Sequence, residues 1–422
     1  MDSMMKLIKP FRGLRPTQEL ASRVAAHPYD VLNREEALEL AKDNPYSFLH
    51  INKPEVDVDP AIDVYDPQVY QQGSDNLQRF IAEGILQRDP EETLYVYKQV
   101  MGTHEQVGLV AAASVEAYDQ NRIKKHEFTR PDKEDDRVNH MDALGAQVGP
   151  VFLTYKAKDG IDAMIAQVTA AEPDYDFTAE DNTQHVFWVV RDAKLSADIE
   201  AAINSLDCLY VADGHHRSAA ASRVKRLYQE RNADHQGDES YNYFLTVLFP
   251  HDQMQILDYN RVVKDLNGLD IETFLDRLAE NFVIEAVGDS AAAKPSQARE
   301  FGIYLDNRWY LLRANDSLQA KIDDHDPVAS LDVSILQNAV FGPLLDINDQ
   351  RTDKRVDFVG GIRGLGELKK RVDSGDWQLA IALYPTSIVS LMSVADAGEV
   401  MPPKSTWFEP KLKSGLVVHV LD

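Results

Sequence analysis

A mixed α/β fold is what this sequence predicts, and three features of its pattern predict it. In the middle of the chain apolar strand-like runs alternate with helical ones: helix 161–170, strand 186–190, helix 197–205, strand 208–212, helix 215–231. Alternation of this kind places helices against a sheet. Upstream, the β-rich runs 93–101 and 107–115 flank a short loop at Gly102 and read as a hairpin, so part of the sheet is antiparallel. Finally, 422 residues exceed what one core holds, since single cores stop growing near ~250–300 residues. The chain is read as an N-terminal α/β region (1–155), a core (156–265) and a C-terminal α/β region (266–422).

Residues 10–16 (Pro-Phe-Arg-Gly-Leu-Arg-Pro) form a turn-rich opening. Asn33 with Glu36 is a capping pair for a helix over 34–42, which Asn44-Pro45 stops. A second helix starts at Pro67, with Leu77, Phe80, Ile81 and Ile85 at helical spacing. After the hairpin comes the most charged stretch, 126–137, whose second half opens a helix; Gly149-Pro150 then precedes a strand over 151–155. Beyond the 215–231 helix lies an exposed loop, 232–239, followed by strands 241–249 and 255–263, expected to be antiparallel. Helices 271–281, 331–341 and 365–372 and strands 282–287, 378–383 and 415–421 complete the pattern.

The apolar fraction of 44% and charged fraction of 27% are those of a globular protein. The 44 Lys and Arg against 69 Asp and Glu give a net charge of −25. Such a field repels polyanions, and no run of four basic residues interrupts it, so nucleic acid is not expected as a partner. No window reaches the ~18 apolar residues of a membrane helix, and the first residues lack a basic then apolar export pattern. With the single Cys208, read as a small buried hydrophobe, no internal disulfide or cysteine-rich zinc site can form. A cytoplasmic location, with no membrane partner, is the expectation.

The main candidate site is Asp213-Gly214-His215-His216-Arg217, where an apolar strand gives way to an Ala-rich helix. The first amides of a helix have no intrahelical acceptor and carry partial positive charge. Gly214 allows close approach to the backbone, while His216 and Arg217 add donors suited to a phosphate. Asp213 is either a helix cap or a base or metal ligand. His215 and His216 point ~100° apart on a helix and are poor co-ligands for one ion.

Three further groups carry chemistry. His126-Glu127 with Lys133-Glu134-Asp135-Asp136-Arg137 offers Glu127 as a general base and Lys133 or Arg137 as phosphate partners; the plainer reading is a solvated helix start. The loop 401–411 offers Lys404, Ser405 and Thr406 to phosphate or Mg²⁺, without the glycines of a P-loop; the alternative is a rigid loop anchored by Trp407 and Phe408. Arg12 and Arg15 are additional phosphate candidates, and Asp30 is a base or a turn-former.

The Asp-Gly-His-His-Arg turn is similar to the phosphate-binding turn of the ParB/sulfiredoxin superfamily, most closely that of archaeal free-serine kinases. Nearly the whole chain resembles a bacterial and archaeal family known as domain of unknown function 1015. The residues that carry this resemblance are 12–16 (Arg-Gly-Leu-Arg-Pro), 27–31 (His-Pro-Tyr-Asp-Val), His126-Glu127 with Lys133-Glu134-Asp135, the turn, 259–263 (Tyr-Asn-Arg-Val-Val) and 401–411. The resemblance implies a ParB/sulfiredoxin-like core elaborated with additional α/β segments. It also implies ATP or ADP with Mg²⁺ as cofactors and phosphoryl transfer to a small hydroxyl such as that of serine. Glu127, Asp213 and His216 would be catalytic; Gly214, His215, His216 and Arg217 would hold phosphate. A nucleotide- or metabolite-binding switch without turnover and a phosphoester hydrolase are the alternatives. Sulfiredoxins carry a reactive cysteine in this turn where His215 stands here, which argues against sulfinic acid reduction.

Overall fold

The structure is a computed structural model, and it describes residues 5–422; the opening residues 1–4, part of the stretch read above for an export signal, lie outside the described residues. The chain divides into two compact units, residues 1–254 with 410–422, and residues 255–409.

The first unit is built on a nine-stranded mixed sheet. Its order runs Ile123–Lys124, Leu209–Asp213, Val151–Tyr155, Tyr243–Pro250, His104–Ser114, Tyr95–Met101, Gln184–Val189, Tyr175–Thr178, with Ile8–Lys9 paired to His104–Ser114. Leu209–Asp213 runs parallel to Ile123–Lys124, and Tyr243–Pro250 runs parallel to Val151–Tyr155; the other ladders are antiparallel. The 93–115 hairpin is present, closing at Gly102 with φ +60°. Helices Asp159–Thr169 and Ala193–Asn204 bury Ile161, Ile165, Ile199 and Ile203 in the core with sheet residues such as Leu153, Val186 and Val211. Leu153 and Val211 are fully buried, which accounts for the continuous apolar runs of the inner strands.

Several local expectations are met for the reason that suggested them. Arg34–Ala41 is a helix with a reciprocal capping box between Asn33 and Glu36. Pro67–Ala82 begins with proline after the Asp66 cap. Pro131–Leu144 ends at Gly145 in the left-handed conformation, φ +59°.

Other expectations are corrected. Strands 241–249 and 255–263 do not pair: Tyr243–Pro250 is central in the nine-stranded sheet, while Tyr259–Val263 belongs to the other unit. Both are apolar enough to be buried on two faces, so long-range partners outcompete the near neighbour in sequence. Of 415–421 only His419–Val420 is a strand, paired with Ala146–Gln147. Cys208 is partly exposed rather than buried, one residue ahead of its strand.

The 255–409 unit carries a six-stranded antiparallel sheet in the order Phe282–Val287, Arg308–Ala314, Glu300–Leu305, Leu379–Leu383, Tyr259–Val263, Val356–Gly360. The 331–341 helix is real, but its second half, Gln337–Phe341, is wound as a π-helix. Among the described residues no helix is long and apolar enough to cross a membrane.

Candidate functional site

The strand Leu209–Asp213 reaches the site through a register shift between Val211 and Asp213 against Val151–Tyr155. Such a bulge re-aims the side chain that follows it. Gly214 then turns the chain at φ +100°, ψ +29°, and the helix His215–Arg231 begins. The first intrahelical bond runs from the Ser218 amide to the Gly214 carbonyl, leaving the amides before it without an intrahelical acceptor. No side chain caps this end, so the capping role open to Asp213 is not the one it plays. Its carboxylate instead pairs with Lys411 Nζ at 3.2 Å. Burial raises the Asp213 carboxyl, but Lys411 and Arg217 outweigh it and hold the group below the usual carboxylate range.

Arg217 is 6% exposed. One of its Nη groups donates to the Pro150 carbonyl, the other lies 3.8 Å from Asp30, and its Nε is buried without a hydrogen-bond partner. The Tyr29 ring has two cations near it, with the Arg137 guanidinium 3.7 Å and that of Arg217 6.0 Å from its centroid. Burial pushes the Tyr29 phenol up to about 12 despite Arg137, so at neutral pH it is a donor.

The segment 126–130 is tied to the helix start by two backbone amides. The His126 amide donates to His215 Nε2 at 3.4 Å, and the Arg130 amide donates to His216 Nε2 at 3.1 Å. Each bond leaves Nδ1 as the protonated nitrogen of a neutral ring. Burial lowers the His215, His216 and His126 imidazoles, the last to about 4. The His126 and His215 rings meet edge to face at 4.4 Å, and His215 Nδ1 is 3.7 Å from a carboxylate oxygen of the half-exposed Glu127. Ligand atoms of His126, Glu127 and His215 lie within 4.8 Å of one another, and both ring nitrogens of His126 are buried without a formed hydrogen bond. Two neutral imidazoles and a carboxylate suit Mn²⁺ or Zn²⁺ better than Mg²⁺, which prefers oxygen.

The structure therefore gathers Glu127, Asp213, Gly214, His215, His216 and Arg217 at one turn, with Asp30 beside it. Other candidates have partners of their own, Arg137 among them although it also stacks on Tyr29. Arg15 grips Asp89 with two bonds of 2.7 Å and donates to Tyr175, while Arg12 donates to the Asp89 carbonyl. Gly13 between them is needed for packing, because a Cβ there would lie 2.5 Å from the Tyr95 hydroxyl. Lys133 donates to the Tyr65 hydroxyl at 2.8 Å, and Arg137 pairs with Asp136 at 2.6 Å. Lys404, Ser405 and Thr406 belong to the 255–409 unit, where Ser405 donates to the Pro402 carbonyl at 2.5 Å and Lys404 is exposed at φ +58°. Lys411 and Tyr29 were given no role in the reading of the sequence. Lys411 lies 198 residues from its partner, and no local pattern announces that pair.

Residues 8–334 match the family described as "Protein of unknown function (DUF1015)". No curated protein matches the chain. Solved structures similar to it include a free serine kinase in complex with AMP (11% identity, 72% of this chain and 91% of that one, TM-score 0.34). A conserved hypothetical protein from Pyrococcus furiosus shares 14% identity over 72% of this chain and 93% of that one, at a TM-score of 0.32. SbnI with a C-terminal truncation from Staphylococcus aureus shares 10% identity over 71% and 82%, at 0.35. At these TM-scores the likeness assigns this chain no ligand.

Proposed function

This chain belongs to the DUF1015 family of proteins of unknown function, and from that premise we propose a nucleotide-dependent phosphotransferase acting on a small hydroxyl substrate, such as free serine. The observation that carries the proposal is the uncapped start of the His215–Arg231 helix, flanked by a buried Arg217 whose Nε has no partner. Helix amides and a preset guanidinium form a phosphate cradle whose ordering cost is met in the fold. His216 Nδ1–H and the Tyr29 hydroxyl supply neutral donors, and Lys411, placed by Asp213, adds a cation. Phosphoryl transfer asks mostly for positioning and charge neutralisation, which these groups provide.

Glu127 is the proton acceptor for the attacking hydroxyl, since Asp213 is held as a weakly basic anion by Lys411. A divalent cation, if bound, would be held by His126, Glu127 and His215 and would neutralise phosphate charge; His215 would join it only by giving up the His126 amide bond that occupies its one lone pair. Glu127 serves only one of these roles at a time; with a cation there, Asp30 is the other exposed carboxylate at the turn. A non-catalytic nucleotide switch is the second reading. It is favoured by the pairing of Asp213 with Lys411 and of Asp30 with Arg217, which leaves few free bases.

Calorimetric titration of the full chain with ATP, ADP and adenosine tests phosphate recognition. Charge-assisted bonds contribute about 1.5–3 kcal/mol each, so adenosine should bind at least ~10-fold more weakly than ADP. Equal affinity for the three, or binding of none, contradicts the proposal.

A further inference from the structure

The 255–409 unit contains a second site that the phosphate turn does not use. A cavity of about 370 Å³ opens beside the strand Tyr259–Val263 and the 332–341 helix. Its floor carries Arg261, which is 1% exposed and, among the described residues, has no carboxylate within ion-pair distance. The guanidinium is anchored by neutral groups only. Nε donates to Gln350 Oε1 at 3.2 Å, one Nη group donates to the Tyr259 carbonyl, and the other lies 3.5 Å from the Pro403 carbonyl. Gln350 is in turn fixed by Gln337 at 2.8 Å, at the start of the π-helix. A guanidinium has five N–H donors, so this arrangement aims the group without exhausting it. Burying an unpaired cation is expensive, and burial lowers this one to about 10. The Ser334 hydroxyl, which lines the same cavity, is also buried and has no hydrogen-bond partner. A cation without a counter-charge and a hydroxyl without a partner, lining one cavity, call for an anion that meets both.

The rim has the opposite sign. Asp326 lines the same cavity, and its carboxylate accepts from the Val328 and Ala329 amides at 2.9 Å, which keep it ionised. Asp349, paired with Arg351, lines it too. A polyphosphate would be repelled at this mouth, whereas a molecule with one anionic and one cationic end meets both surfaces. The volume lies at the small end of ligand pockets, about 300–1,000 Å³. We propose that this cavity binds a small zwitterion of the α-amino-acid class, its carboxylate on Arg261 and Ser334 and its ammonium toward Asp326.

The test titrates the full chain with individual L-amino acids, with lactate and ethanolamine as one-charge controls, and with inorganic phosphate. At least one amino acid should bind, with both controls at least ~10-fold weaker. Ser334→Ala removes a hydroxyl that bonds nothing, so it should leave the melting temperature unchanged and weaken that binding about fivefold or more. Arg261→Gln should abolish it, and Asp326→Asn should weaken the amino acid while sparing lactate. Absence of binding by every amino acid overturns the proposal. So does phosphate binding in preference to amino acids, or amino-acid binding indifferent to Ser334→Ala and Asp326→Asn.

Discussion

Replacing Arg217 isolates the phosphate cradle from the rest of the fold. The wild-type side chain is 6% exposed, donates to the Pro150 carbonyl, and keeps Nε buried and unbonded. Arg217→Ala forfeits one intramolecular bond, about 1 kcal/mol, along with some packing of the aliphatic stem. The variant should stay folded with a melting temperature lower by a few degrees. The loss to a bound phosphate is larger, because charge-assisted bonds contribute about 1.5–3 kcal/mol each. ADP affinity should fall ~10- to 150-fold. Arg217→Lys should fall between the two proteins, since it keeps the charge but lacks the planar fork that grips a phosphate with two parallel bonds. The assay is calorimetric titration with ADP, with a thermal melt to establish folding. Unchanged ADP affinity in a folded Arg217→Ala protein would refute the assignment of phosphate to this turn.

Three more outcomes are expected. Gly214→Ala and Gly237→Ala each put a side chain at positive φ, +100° and +101°, at a cost of about 1–2 kcal/mol each. The added Cβ meets Arg217 Cζ at 3.3 Å only in the first, so nucleotide affinity should drop there and not in the second. His126→Ala should abolish tight Mn²⁺ or Zn²⁺ binding measured by equilibrium dialysis while leaving ADP affinity without metal nearly intact; retained metal binding sinks the ligand set. Stability should fall on acidification from pH 7.5 to 5, followed by urea unfolding. Burial lowers His126, His140 and His419 to about 4, so between about pH 6.5 and 4 the unfolded chain takes up protons that the folded one refuses. That is at most roughly 2 kcal/mol per imidazole at pH 5. Asp332, raised to about 6 by burial, runs the other way and offsets only part of the loss. A urea midpoint unchanged between the two pH values would contradict these burial states.

What was legible in the sequence was local. The Asn33–Glu36 capping box, the Pro67 helix start and the strand-to-helix turn at Gly214 are each determined by neighbours within a few residues. The hairpin followed from two β-rich runs separated by a short loop at Gly102. What was not legible is non-local. Tyr243–Pro250 pairs with strands 151–155 and 104–114, which no short-range signal announces. Within the site, helical spacing explained why His215 and His216 diverge. It could not bring His126 to His215, because that contact depends on the parallel pairing of Leu209–Asp213 with Ile123–Lys124. Arg261 stood in the sequence only within the 259–263 motif and was given no role; its missing counter-charge is a property of the packed cavity.

The central claim, phosphoryl transfer from a nucleotide held at residues 214–217, is tested most directly by a ³¹P NMR time course. Purified full chain is incubated with ATP or ADP and Mg²⁺ or Mn²⁺, with and without free serine. The account predicts a new phosphomonoester resonance that requires serine and is lost in His216→Ala. Free phosphate without an ester would point to hydrolysis at the same cradle. Unchanged nucleotide spectra with every metal would contradict a phosphotransferase and leave the nucleotide switch as the reading of the turn.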